Sequence, residues 1–203
     1  VALPIAEIVQ NAHDFNPRGP MTPDLRPAVE ALFVELEQQR VDYVLVGGVA
    51  LLSYVEGRNT QDIDLIVRVD QLKAIDWAAS VQDRDFGRAQ YRGIRVDLLL
   101  TTNALFSHVA EKERTTTTAF HGQTIPVATR RGLLLLKLYA LPSLYRRGNL
   151  ARAALYETDV RMLLQGADIP DEDLLGALEA HLSRSDIDEL RRILGEQREK
   201  RRF

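Results

Sequence analysis

The stretch YVLVGGVALLSYVEGRNTQDIDLIVRV, residues 43–69, decides how this chain reads. Val41 to Val46 is short, apolar and β-branched, which predicts a strand, and it ends at Gly47-Gly48, where no Cβ keeps a ligand from the backbone. The run Val49 to Val55 predicts a helix. A strand that passes through glycines into a helix leaves unpaired N–H groups and the positive end of a helix dipole facing forward, a setting suited to phosphate. After Gly57, Arg58 and Thr60 in a polar loop, QDIDLIVRV predicts a second strand. Alternate strand residues share a face, so Asp62 and Asp64 project side by side while Ile63 and Leu65 face a core.

Two like charges about 4 Å apart repel by roughly 1 kcal/mol in bulk water, and more where the dielectric is lower. A divalent cation relieves that repulsion. Magnesium prefers octahedral oxygen coordination and takes one or two carboxylates plus substrate phosphate oxygens, so the pair implies a nucleoside triphosphate as substrate. GIRVDLLL places Asp97 on a further strand, Gly93 to Thr101. In two-metal phosphoryl chemistry one ion activates the attacking oxygen and the other clamps the leaving group. Asp62 and Asp64 are therefore expected to bind metal, two Mg2+ in all, with Asp97 on the acceptor-side ion or acting as general base.

These residues resemble a known family. Gly47-Gly48, then RNTQDIDL, then a strand carrying VDL, are similar to the nucleotidyltransferase superfamily that includes DNA polymerase beta, and most of all to its bacterial AbiEii-type and MenT-type toxin branch. LLLLKLYA with Lys137, the basic Arg146-Arg147 and YETDVRMLL with Asp159 are similar to the lysine and aspartate motifs downstream of that branch's catalytic core. The resemblance spans roughly residues 40 to 165. It implies transfer of a nucleoside monophosphate from a triphosphate to an acceptor, with Mg2+ and release of pyrophosphate. It puts Gly47 and Gly48 on the triphosphate, Asp62, Asp64 and Asp97 on the metals, and Lys137 on a phosphate, with Asp159 orienting Lys137 or the nucleotide. Arg58 and Thr60 are expected to touch nucleotide. Many members carry serine shortly before the first aspartate, and here Thr60 supplies the hydroxyl.

Each motif also has a plainer reading. Gly-Gly after a strand is commonly only a turn. Asp-Ile-Asp recurs at Asp186 to Asp188, where Ser183 or Ser185 before an acidic first turn predicts a helix cap rather than a metal site. Lys137 stands in an apolar run, Leu133 to Leu141, where a lysine often extends its stem to reach solvent. His13, His108, His121 and His181 are scattered without ligand spacing, so zinc is not expected. Thr115 to Thr118 suit an extended strand through their β-branching.

With 203 residues, 45% hydrophobic and 27% charged, the chain can form an α/β core plus an accessory part. Nothing in it approaches a membrane span or a secretory signal, and a cytoplasmic location is expected. It has no cysteine, which excludes disulfides and thiol catalysis. A net charge of -3 argues against a surface that grips nucleic acid everywhere, yet allows a local basic groove. Arg130-Arg131, Arg146-Arg147, Arg152 and Arg161 are candidates for one, since arginine engages phosphate bidentately.

The expected fold is α/β, a palm-like mixed sheet flanked by helices with a helical C-terminal subdomain. Residues 1–23 read as an extended arm, 24–128 as the α/β domain and 129–203 as the helical part. Strands are expected near 42–47, 62–68, 84–91, 93–101 and 115–127. Helices are expected over 24–40, 49–55, 70–80, 103–112, 129–141, 150–165, 171–182 and 185–200. The expected acceptor is RNA, tRNA included, or a protein, with a cognate antitoxin or toxin as partner. Two alternatives stand beside it: a silent nucleotide- or partner-binding protein of the same fold, and an antibiotic-type enzyme with a small-molecule acceptor.

Overall fold

The structure is a computed structural model that describes residues 25–55, 62–75, 80–81, 83–118, 123–165 and 167–199. The predicted N-terminal arm lies outside these, as do Arg58 and Thr60. The chain divides into two compact units, Val1–Thr129 and Arg130–Phe203.

The first unit is a mixed sheet with helices against it. Helix α1 (Leu25–Gln38) leads to β1 (Tyr43–Val46), which runs directly into the short helix α2 (Gly47–Leu52). Then follow β2 (Ile63–Val67), a 3-10 helix (Val69–Ala74), β3 (Ser80–Val81), β4 (Phe86–Tyr91) and β5 (Ile94–Leu100). Helix α3 (Ala104–Lys112), β6 (Arg114–Thr118) and β7 (Thr124–Ala128) complete the unit. The seven strands lie in the order β3-β4-β5-β2-β1-β7-β6. β2 is antiparallel to β1 and parallel to β5, while β1 is parallel to β7, so the expected mixed α/β sheet is what the chain forms.

Burial explains the strand patterns. All four residues of β1 are buried, as a strand covered on both faces should be, and α1 adds Leu32, Phe33 and Leu36 to the same core. Phe33 stacks on Tyr43 with ring centroids 6.0 Å apart. In β4 and β5 the pattern alternates: Ala89, Tyr91, Val96 and Leu98 are buried, while Arg88, Gln90 and Arg95 face outward.

Three expectations about elements of the first unit need correction. The stretch 115–127 is two antiparallel strands, because the threonine run pairs back on TIPVA instead of extending through it. Of the predicted helix 70–80, the part to Ala74 belongs to the 3-10 helix and Ser80 begins the edge strand β3, with 76–79 outside the described residues. Helix α2 begins on the two glycines and ends at Leu52, short of Val55, with Ser53 bonding back to Ala50.

The second unit is helical: α4 (Arg130–Arg146), α5 (Leu150–Gln165), α6 (Asp171–Leu178) and α7 (Arg184–Glu199). Helix α4 continues past the expected end at 141, with Pro142 inside it. A mid-helix proline costs about 3 kcal/mol, which burial of Leu134, Leu135, Leu138 and Leu141 at roughly 1.5–3 kcal/mol each outweighs. The second Asp-Ile-Asp is a helix cap, with the Asp186 N–H donating to Ser183 Oγ at 3.2 Å. No helix among the described residues is long and apolar enough to cross a membrane.

Candidate functional site

Strand register aligns the acids. Val46, the last residue of β1, is opposite Asp64 in β2; Asp64 is level with Asp97 in β5; Asp97 is opposite Arg88 in β4. The row therefore crosses four strands. Arg95, two residues before Asp97 in β5, falls on the same face as Asp97, and Asp62 stands one residue before β2 begins and pairs with Arg95.

Gly47 closes one end of the row. It has φ +65°, the left-handed region, and a Cβ built there would lie 1.8 Å from Asp64 Oδ2 and 2.4 Å from Asp64 Cγ. The turn from β1 into α2 thus passes directly against the Asp64 carboxylate, and only glycine permits it.

Guanidinium groups close the other end. Arg88 Nε donates to Asp97 Oδ1 at 2.9 Å. Arg95 places Nε 3.6 Å from Asp97 Oδ2 and donates through a terminal nitrogen to Asp62 Oδ2. Both arginines are half-exposed, while the two acids are a third exposed or less.

The comparisons with known proteins divide sharply. No protein-family model and no curated protein matches the sequence. Solved structures do match. An antigenic nucleotidyltransferase-like protein from Paracoccidioides brasiliensis aligns with TM-score 0.53 at 18% identity, covering 85% of this chain and 94% of that one. ANT(2″)-Ia, solved in complex with adenylyl-2″-tobramycin, aligns with TM-score 0.56 at 10% identity, covering 78% and 97%. The fold is that of a nucleotidyltransferase.

Within this nucleotidyltransferase fold, the acid row suits a hard divalent cation in the chemistry of its donors, all of them carboxylate oxygens. Its arrangement is a different matter. Among the described residues no three acidic or histidine side chains stand as a group able to hold a metal ion, and arginine side chains sit on Asp62 and Asp97. Arg88 and Arg95 went unnoticed in the sequence. The turn Arg92-Gly93 carried the signal: both residues have positive φ, +46° and +88°, and a two-residue hairpin of that kind sets Arg88 opposite Asp97.

Of the other predicted site residues, Gly48 is the second residue of α2, Arg58 and Thr60 lie outside the described residues, and Lys137 and Asp159 lie in the helical unit. Lys137 on α4 and Asp159 on α5 are both buried, with Nζ 3.0 Å from Asp159 Oδ2 and 3.9 Å from the Tyr156 ring centroid. The lysine does not reach solvent; its charge is matched inside the unit. Three of the arginines suggested for a basic groove have intramolecular roles. Arg130 donates to the Leu163 carbonyl at 3.0 Å, Arg131 to the Asp173 carbonyl at 3.2 Å, and Arg146 to Asp186.

Proposed function

We propose that this chain transfers a nucleoside monophosphate from a nucleoside triphosphate to an acceptor hydroxyl. The observation that carries the reading is Gly47 packed without a side chain against Asp64, with Asp97 level on the neighbouring parallel strand. That arrangement puts a bare stretch of backbone beside two carboxylates. Gly47 and Gly48 would let the triphosphate approach the main chain. Among the described residues Asp62, Asp64 and Asp97 do not stand as a closed group of metal ligands, so they would hold Mg2+ only together with triphosphate oxygens; the ion when bound supplies charge neutralisation and Lewis acidity at the phosphates.

The chain's own groups account for the proton. The acceptor oxygen attacks the α-phosphorus, the bond from that phosphorus to the bridging oxygen of pyrophosphate breaks, and the hydroxyl proton passes to a carboxylate oxygen of Asp97. Pyrophosphate leaves with the electron pair of the broken bond. Lys137 and Asp159 support the helical unit through their buried pair, and the reaction as written does not draw on them.

The acceptor in this reading is an RNA end, tRNA among them, or a protein hydroxyl, and the role is that of a toxin–antitoxin component. A second reading, a small antibiotic as acceptor, draws on the likeness to ANT(2″)-Ia with its adenylyl-tobramycin. Arg88 and Arg95 beside Asp97 weigh against it, because tobramycin is a polyamine and would meet like charge there.

The test uses each labelled triphosphate with Mg2+, with and without total RNA or tobramycin, on the wild type and Asp64→Asn. Label in RNA or protein with pyrophosphate release, absent in the variant, is the expected result. Label in tobramycin alone would favour the second reading, and no pyrophosphate from any triphosphate would leave a silent binding protein.

A further inference from the structure

We propose that β6 is a self-pairing edge: its outward backbone joins the same strand of a second copy of this chain, antiparallel, about a two-fold axis at Thr116.

Among the described strands β6 ends the sheet, and its strand partner is β7. In an antiparallel pair, residues that exchange both hydrogen bonds alternate with residues whose N–H and C=O point away from the partner strand. The Thr129 N–H donates to the Glu113 carbonyl at 2.8 Å, so the bonded positions continue at Thr115 with Val127 and Thr117 with Ile125. Thr116 is opposite Pro126, which has no N–H to give, in agreement with that phase. The main-chain groups of Arg114, Thr116 and Thr118 therefore point off the sheet. Solvent reaches this edge. Arg114, Thr115 and Thr116 are all exposed, and because consecutive strand residues point to opposite faces, neither face is covered there.

Sheets usually blunt such an edge with lysine, proline, a bulge or a very short strand. The other edge strand, β3, has only two residues. β6 has five, in unbroken register with β7: one arginine, held by Asp42 at 3.0 Å, and four β-branched threonines.

Symmetry and charge select the occupant. Antiparallel pairing of β6 with its own copy sets Thr116 opposite Thr116 and Arg114 opposite Thr118, so each outward N–H and C=O of the strand meets a partner. Thr115 falls opposite Thr117, and no two like charges face each other. A segment of another protein could use the same backbone, but threonines offer no charge pattern to select one. The strand is its own complement because its centre falls on an outward residue. Pairing consumes the edge in both copies, so assembly stops at two. Five residues a side bury less than a standard interface of about 1,600 Å², which makes the dimer a weak one.

Sedimentation equilibrium of the full chain, from about 1 µM to 1 mM, reads the association directly. The wild type should pass from monomer to dimer within that range and go no further. Thr116→Pro removes the outward N–H at the axis, a change edge strands tolerate, and should stay monomeric. Thr116→Lys sets like charges opposite each other and should raise the dimer Kd about fivefold, while Thr116→Val should match the wild type. Melting temperatures check folding; if Thr116→Pro melts below the wild type, the other variants carry the test. The chain has no cysteine, so Thr116→Cys adds a single thiol. Opposite Cα atoms in a bonded pair stand about 5.5 Å apart, within disulfide reach, and mild oxidation should give a covalent dimer. A wild type monomeric throughout, growth beyond the dimer, a dimer indifferent to Thr116→Lys, or a Thr116→Cys that stays monomeric on oxidation would each overturn the proposal.

Discussion

Gly47 and Asp64 share a space that a single methyl group would contest: a Cβ on Gly47 would fall 1.8 Å from Asp64 Oδ2. Two penalties therefore meet in Gly47→Ala. The left-handed φ of +65° costs a non-glycine residue roughly 1–2 kcal/mol, and the contact displaces the carboxylate as well. Misplacing a reacting group by about 1 Å can cost 10²-fold in rate. Gly47→Ala should lower the melting temperature and reduce nucleotidyl transfer by about a hundredfold; a variant with wild-type turnover would show that this close approach is not part of the site.

Asp64→Asn should separate activity from stability. Asp64 is level with Asp97 on the parallel strand, so its charge adds to repulsion within the row. Removing it should abolish transfer, because charge stabilisation at the phosphates is worth several kcal/mol, while the melting temperature stays level or rises at low salt. A variant that loses activity only by unfolding would contradict the assignment.

The Lys137–Asp159 pair should be costly to break and cheap to replace. Both groups are buried, and removing one partner of such a pair costs about 3–5 kcal/mol because the other charge is left without compensation. Lys137→Met should therefore destabilise the chain strongly in denaturant unfolding. The double variant Lys137→Met with Asp159→Leu should recover most of the loss, and purely additive effects would argue against coupling.

Asp186 gives the stability of the helical unit an acid limit. Burial pushes its pKa up, but hydrogen bonds from the Ser183 hydroxyl and Arg146, together with the Arg146 charge, more than offset this and hold it below the usual range. Its contribution is thus present above the unfolded value, about 3.9, and is lost as pH falls through the lower folded value. Melting temperature measured from pH 5 downward should drop through this window in the wild type. Asp186→Asn should show a shallower drop there, and an identical slope would remove Asp186 from the account.

The readable parts of this chain were those set by near neighbours. Alternation placed Asp62 and Asp64 on one face of one strand, and the apolar run into Gly47-Gly48 announced the turn, since both follow from backbone geometry over a few residues. The threonine stretch was misread as one strand because its own composition does not say where the chain turns back. The apolar surroundings of Lys137 did not by themselves show what would meet its amine; only the resemblance set Asp159, on another helix, beside it.

From the sequence alone came the mixed α/β class, the helical C-terminal part and three acids proposed for one site. Tertiary structure decided what stands next to them: Asp97 level with Asp64, Arg88 opposite Asp97, and Arg95 across two acids. The physical reason is that strand periodicity is written residue by residue, whereas register between strands depends on turns and on the burial of whole faces. Which cation neutralises a carboxylate is settled only once those faces have met.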